Sequence, residues 1–230
     1  MALIAASPAS GGCAAGPSAV ADLAAAGMSF VHAPSVAFRA HRNYLHSTTL
    51  YKELMAGAAV AGLVPDGAIE LRVRRLVRCQ PELRYSRSPI AVAADAPAVF
   101  SLRASGAVWQ GAVVEREPPI RDREPYDETP IANRAVTEGA GIRLSGNTGM
   151  QPIEVITSLT LLLHQRLFML GNDRKWYLAR IELAQPLKPD DADTIRLELV
   201  RRFGTTMTRS SIAAGDEPLG HIEFIAGPIA

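Results

Sequence analysis

Residues 152–170 read PIEVITSLTLLLHQRLFML, and this stretch decides the fold. Ile153, Val155, Ile156, Leu159, Leu161, Leu162, Leu163, Leu167, Phe168, Met169 and Leu170 fall on every face of a helix, broken only by Glu154, Ser158, His164 and Gln165. A surface helix keeps a polar side. The stretch is also too short and too interrupted to span a bilayer comfortably. Its place is the middle of a globular fold, with a sheet curled around it. Pro152 suits a first helical position, Glu154 a first turn, and Gly171-Asn172 a C-terminal stop.

Strands are expected after this helix at 176–184, 194–202, 207–212 and 219–225, with Gly215-Asp216 turning between the last two. A weaker copy of the same unit lies earlier. A helix is predicted from Thr49 to Leu63, with Leu50, Tyr51, Leu54, Met55 and Ala58 on one face and Ser47 or Thr48 as N-cap. Pro65-Asp66-Gly67 ends it, and one long strand over 68–85 follows, its alternation slipping at Arg74-Arg75. Strands at 98–105 and 108–115 complete that half. An offset of 105 residues lays Leu50 on Val155, Leu54 on Leu159, and Cys79-Gln80-Pro81 on Ala184-Gln185-Pro186. Gly111-Ala112-Val113-Val114-Glu115 matches Gly220-His221-Ile222-Glu223-Phe224 at an offset near 109. The match is one of pattern, since identity is low.

This divides the chain into residues 1–28, rich in Ala, Gly, Ser and Pro and expected to be disordered; a first half at 29–114; a linker at 115–141, dense in charge and proline; and a second half at 142–230. Within the linker a short helix is predicted over 131–138. Met28 is a candidate true start, and residues 1–28 have neither the charged n-region nor the clean h-region of a signal peptide.

Apolar residues make up 48% of the chain and charged residues 20%, with a net charge of +1 and both signs interspersed. That balance allows a sizeable core and gives no sign of a nucleic-acid or membrane partner. The cluster Arg72, Arg74, Arg75 and Arg78 reads as the solvated face of a strand. Cys13 and Cys79 are the two cysteines, and no Cys/His cluster has zinc-ligand spacing. A reducing cytoplasm fits, with no metal and no cofactor. Gly-x-Ser-x-Gly, Walker and dinucleotide fingerprints are missing from the sequence, which argues against serine hydrolase, ATPase and Rossmann dehydrogenase chemistry.

A buried helix followed by an antiparallel meander resembles the hotdog fold. WYLARIELAQPLKPDD, residues 176–191, is similar to the strand and proline turn that follow the central helix in β-hydroxyacyl-thioester dehydratases and acyl-CoA thioesterases, with Asp190 where that turn usually has Gly. Two such units resemble a tandem (double) hotdog of the α+β class, with two central helices each wrapped by a curved antiparallel sheet. The resemblance implies an acyl thioester of coenzyme A or an acyl carrier protein as substrate, and dehydration, hydration or hydrolysis as the reaction. A homodimer is compatible with it. The alternatives are a non-catalytic protein that binds an acyl or small apolar ligand, and an acyltransferase of secondary metabolism.

His46, just before the first helix, is the candidate general base, and Glu154 on the second helix its candidate partner. The family's His–Pro spacing is missing around His46. The structural alternatives are a loop histidine held by backbone groups and a carboxylate that stabilises its own helix. Asn43, Tyr44, Ser47 and Thr48 share the His46 loop, and Asn147 and Gln151 precede the second helix; all six are candidate substrate-binding residues, although Ser47 and Thr48 also suit caps. His164 is either a buried neutral histidine or a second base lining a tunnel.

Overall fold

An antiparallel sheet of eleven strands runs through the molecule in the order β1-β4-β6-β5-β3-β10-β13-β12-β11-β9-β8. It belongs to a computed structural model that describes residues 29–89 and 93–229. The expectations for residues 1–28, including Cys13 and Met28, lie outside the described residues.

The first five strands in that order are β1 (Phe30–His32), β4 (Cys79–Ser86), β6 (Ala107–Pro119), β5 (Ala98–Ala104) and β3 (Pro65–Val73). Helix α1 (Ser47–Val60) precedes β3. The rest are β10 (Arg174–Leu183), β13 (Glu217–Pro228), β12 (Met207–Ala214), β11 (Ile195–Phe203), β9 (Gly141–Leu144) and β8 (Ala135–Glu138). Helix α3 (Pro152–Leu167) precedes β10. A short helix α2 (Thr129–Ala132) and a 310 turn at Pro189–Thr194 complete the chain. A parallel pair, β2 (Phe38–Arg39) with β7 (Arg123–Glu124), stands apart from the main sheet.

Helix α3 packs on β9, β10 and β11. β9 and β10 are four places apart, about 19 Å at the usual strand spacing of roughly 4.8 Å, whereas a helix is only about 10–12 Å across. One helix touches both only if the sheet curls around it. Helix α1 is enclosed in the same way, packing on β3, receiving a hydrogen bond from Tyr85 of β4 to the Leu54 carbonyl at 2.8 Å, and pairing Glu53 with His32 of β1 at 3.0 Å. A Cβ on Gly57 would collide with the Tyr85 hydroxyl, so that approach of helix to strand needs glycine. Leu54 and Leu159, matched by the 105-residue offset, are both wholly buried.

The strands that follow the two helices, β3 and β10, pair with each other. Glu70 faces Glu182 and Arg72 faces Arg180, on either side of Leu71 and Ile181. On the outer face, ion pairs Arg180–Glu70 (2.7 Å) and Arg209–Glu182 (3.0 Å) tie β3, β10 and β12 together.

Several local expectations are corrected. The strand predicted over 68–85 is two strands, β3 and β4, with residues 74–78 between them where the alternation slips. The helix predicted to Leu170 ends at Leu167, because Phe168 turns extended and packs its ring 5.7 Å from both His164 and Trp176. Residues 131–138 hold the end of α2 and then β8. Gln80-Pro81 lies in β4 and Gln185-Pro186 follows β10, so these are not equivalent positions. β13 pairs with β10, whereas β6 lies between β4 and β5. The 11-12-13 run is a meander; in the first half β5 returns beside β3, and β6 fills the gap. No helix among the described residues is long and apolar enough to cross a membrane.

Candidate active site

Two cavities flank the starts of α1 and α3. The larger, about 960 Å³, is lined by the 40–47 loop that leads into α1 and by Thr157, Leu161 and Gln165 of α3, with Trp176, Leu178 and Phe224 behind them. The second, about 750 Å³, is lined by Met150, Gln151 and Ile153 at the start of α3 and by Tyr51, Lys52 and Met55 of α1. The expected site residues are divided between them. Asn43, Tyr44, His46 and Ser47 line the larger cavity, and Asn147 and Gln151 line the second. Thr48 and Glu154 are buried and line neither.

Arg39 joins the helix starts. It sits on the short strand β2, is almost wholly buried, and has its charge met on every side. Nη2 lies 2.7 Å from Glu154 Oε1, Nε donates to Glu124 Oε1 at 2.9 Å, and Nη1 donates to Thr48 Oγ1 at 2.9 Å. The Tyr126 ring lies 4.3 Å from the guanidinium carbon. Thr48 Oγ1 is also 2.6 Å from His46 Nδ1. His46 and Glu154 are therefore linked through Thr48 and Arg39, and no direct hydrogen bond joins them.

Burial holds the His46 imidazole well below its ordinary pKa, and the charges of Arg42 and Arg39 add to the effect. Its ring is neutral at pH 7. Burial works against ionisation of Glu154, but the Gln151 amide (3.1 Å to Oε2) and Arg39 outweigh it, so the carboxyl titrates below the usual range. Lys52 adds a contact at 3.5 Å.

The two helix starts differ chemically. α1 begins at Ser47 after His46, with no side-chain cap and no acidic residue in its first turn. The expected caps Ser47 and Thr48 are thus inside the helix, and Thr48 spends its hydroxyl on Arg39 and His46. The first amides of α1 carry the positive end of the helix dipole toward the larger cavity. α3 begins with Pro152, which has no N–H, and the Gln151 amide is taken by Glu154. At this second start the first residue has no N–H to offer, and a carboxylate occupies the amide ahead of it.

Cations gather around the larger cavity: Arg42, Arg75, Arg174 and Lys175, against Glu128. Arg42 pairs with Glu128 at 3.4 Å, and Arg75 pairs with Glu115. No carboxylate pairs with Arg174 or Lys175 among the described residues. Lys175 lies 4.7 Å from the centre of the Tyr44 ring. The second cavity has the opposite balance, Glu53, Asp190 and Asp193 against Lys52, and there Asn147 donates to Asp193 at 3.1 Å.

His164 lines neither cavity. It is wholly buried, with Nε2 2.9 Å from Thr208 Oγ1, and burial lowers its pKa to about 4. Trp176, Phe224 and Phe168 surround the ring at 4.5–5.7 Å. Sequence reading missed Arg39, Tyr126, Arg174 and Lys175. Arg39 did carry a signal, a lone charge within Val36-Ala37-Phe38-Arg39-Ala40, since such a charge is buried only when paired.

No family model matches the chain, and no curated protein matches it. Solved structures do. A 12:0-ACP thioesterase from Umbellularia californica is 7% identical, with 87% of this chain and 98% of that one covered and a TM-score of 0.45. A pyran synthase domain from module nine of the sorangicin pathway is 13% identical over 88% and 94%, with a TM-score of 0.42. An acyl-ACP thioesterase from Bacteroides thetaiotaomicron is 10% identical over 86% and 97%, with a TM-score of 0.39. The chain's own topology, a long apolar helix followed by the antiparallel strands that curl around it, is the arrangement that the resemblance to the hotdog fold implies.

Proposed function

We propose that the chain is a tandem hotdog acting on an acyl thioester of coenzyme A or an acyl carrier protein, by dehydration, hydration or hydrolysis, in the larger cavity between its halves. One observation carries this reading. Of the two helix starts, only that of α1 has an N–H at its first residue and no carboxylate in its first turn, and it meets a cation-rimmed cavity beside a buried histidine.

The reactions share one electrostatic demand. Removing an α-proton and adding water to a thioester both push negative charge onto the carbonyl oxygen. Donors already aimed at that charge lower the barrier more than any that must reorganise. The Ser47 amide is such a donor. His46 is the catalytic residue beside it, and Glu154 acts at a distance, by holding Arg39. Asn43, Tyr44 and Ser47 contact the substrate, Arg174 and Lys175 attract the phosphates of the carrier, and Leu161, Trp176, Leu178 and Phe224 enclose the acyl group. The setting that suits this chemistry is a reducing cytoplasm.

The test is a panel of acyl-CoA thioesters of graded length, given to the wild type and to His46→Gln, with free thiol and enoyl absorbance followed together. Thiol release lost in the variant identifies a thioesterase; enoyl change without thiol release identifies a dehydratase or hydratase. Tight binding of thioesters with no turnover assigns a binding protein instead. Neither turnover nor binding across CoA and carrier-protein thioesters refutes the reading.

A further inference from the structure

Thr48 has one hydroxyl proton and two neighbours. Arg39 Nη1 donates to Oγ1 at 2.9 Å. A guanidinium has only donors, so the direction of this bond is fixed. The 2.6 Å contact between Oγ1 and His46 Nδ1 then has two forms. If Nδ1 carried the proton, Thr48 would accept twice, and its own proton would need a third partner. Thr48 is wholly buried and makes no other side-chain hydrogen bond among the described residues. A buried hydroxyl proton without an acceptor is costly. In the other form Thr48 donates to an unprotonated Nδ1, and its hydroxyl is satisfied both as acceptor and as donor.

The ring's surroundings exclude the doubly protonated form. Arg39 comes from β2, Arg42 from the loop ahead of α1, and the Tyr126 ring, 5.9 Å from the His46 ring, from the segment after β7. The acidic groups nearby are already engaged, Glu154 and Glu124 with Arg39 and Glu128 with Arg42. Two guanidinium charges thus stand near the imidazole, and no carboxylate is bonded to it.

We infer that Arg39 and Thr48 are positioning residues that hold His46 as its neutral Nε2–H tautomer, so that the ring meets its ligand in the larger cavity as a hydrogen-bond donor. Bound substrate then finds two donors at one place, the Ser47 amide and His46 Nε2–H. The role given to the donor rests on the proposed thioester chemistry; the tautomer does not.

Long-range proton–nitrogen correlation spectra of 15N-histidine-labelled protein at pH 7 read the tautomer directly, with His46 assigned by its loss in His46→Gln. The expected pattern is a protonated Nε2 and a bare Nδ1. Thr48→Val keeps the side chain's shape and removes the relay. It is expected to mix or reverse the tautomer, and Thr48→Ser to restore it. If thioester turnover is found, Thr48→Val should lower kcat by about tenfold with KM little changed, the effect of one weakened hydrogen bond. A protonated Nδ1 in the wild type overturns the inference without recourse to any variant. So does an unchanged tautomer in folded Thr48→Val. Absence of turnover would count against the thioester reading alone, because the tautomer is measured without substrate.

Discussion

The starts of α1 and α3 belong to helices that each precede one strand of the β3–β10 pair, but they have opposite chemistry. Ser47 and Pro152 are the first helical residues, 105 positions apart. One offers an amide and the other has none. At the third helical position Thr49 stands where α3 has Glu154, so α1 lacks the carboxylate that closes α3. Each start opens on a cavity, but one cavity is rimmed by cations and the other by carboxylates. The lesson is that equal backbone frames need not make equal sites. A proline and a glutamate are enough to close one helix end, and Arg39 ties that closed end to the open one.

Arg39→Met should have the largest effect. It leaves Glu154 and Glu124 without their shared cation, and removing one member of a buried ion pair typically costs about 3–5 kcal/mol. Urea unfolding should show that loss, and Arg39→Met combined with Glu154→Gln should lose less than the two single variants added together. An additive result would mean that the bridge between the helix starts is energetically idle.

The comparison can also be broken at the first helical position. Ser47→Pro gives α1 the residue that α3 already has. His46 is extended, with φ −68° and ψ 139°, which suits a residue before proline. Stability should therefore change by no more than about 1 kcal/mol. Turnover should fall by about 10²–10³-fold, as when one preformed donor to an oxyanion is lost. The reciprocal Pro152→Ser should leave turnover as it was. Equal effects from both would make the two starts functionally alike.

Stability should fall in mild acid. The folded pKa of His164 is about 4 against an ordinary value of 6.5, so the unfolded chain takes up the proton first. The contribution is complete above pH 6.5 and is lost as pH falls toward 4, about 3 kcal/mol in all. His46 is shifted the same way and adds to the loss. His164→Phe should flatten the decline between pH 6.5 and 4.5, as read by urea unfolding at each pH; an unchanged slope would place the titration elsewhere. The smallest expected effect is at the rim. Arg174→Glu with Lys175→Glu should lower kcat/KM for CoA thioesters by about tenfold at low salt and less at high salt. Asp190→Lys at the second cavity should not.

Legibility followed how local each signal was. The all-round apolar face of α3, Pro152 and Glu154 were readable because they are properties of a single helix. The end of α3 was not, because Phe168 leaves the helix and packs on the ring of Trp176, which lies outside the helix on β10. His46 was visible as a histidine ahead of a helix. Its link to Arg39 was hidden, since it depends on β2 pairing with β7. Tyr126 lay in a stretch of charges and prolines that reads as a connection, and only the fold turns its ring against Arg39. The exchange of β5 and β6 left no trace in the pattern, since both read as ordinary alternating strands.

The most direct test of the account is a titration of the 15N-labelled protein with a non-hydrolysable thioether analogue of an acyl-CoA, following the backbone amides at both helix starts. The account predicts that the Ser47 and Thr48 amides shift and saturate with the ligand, while those of Ile153 and Glu154 stay in place. Saturating shifts at Ile153 and Glu154, with Ser47 and Thr48 unmoved, would contradict it and give the site to the other end of the molecule.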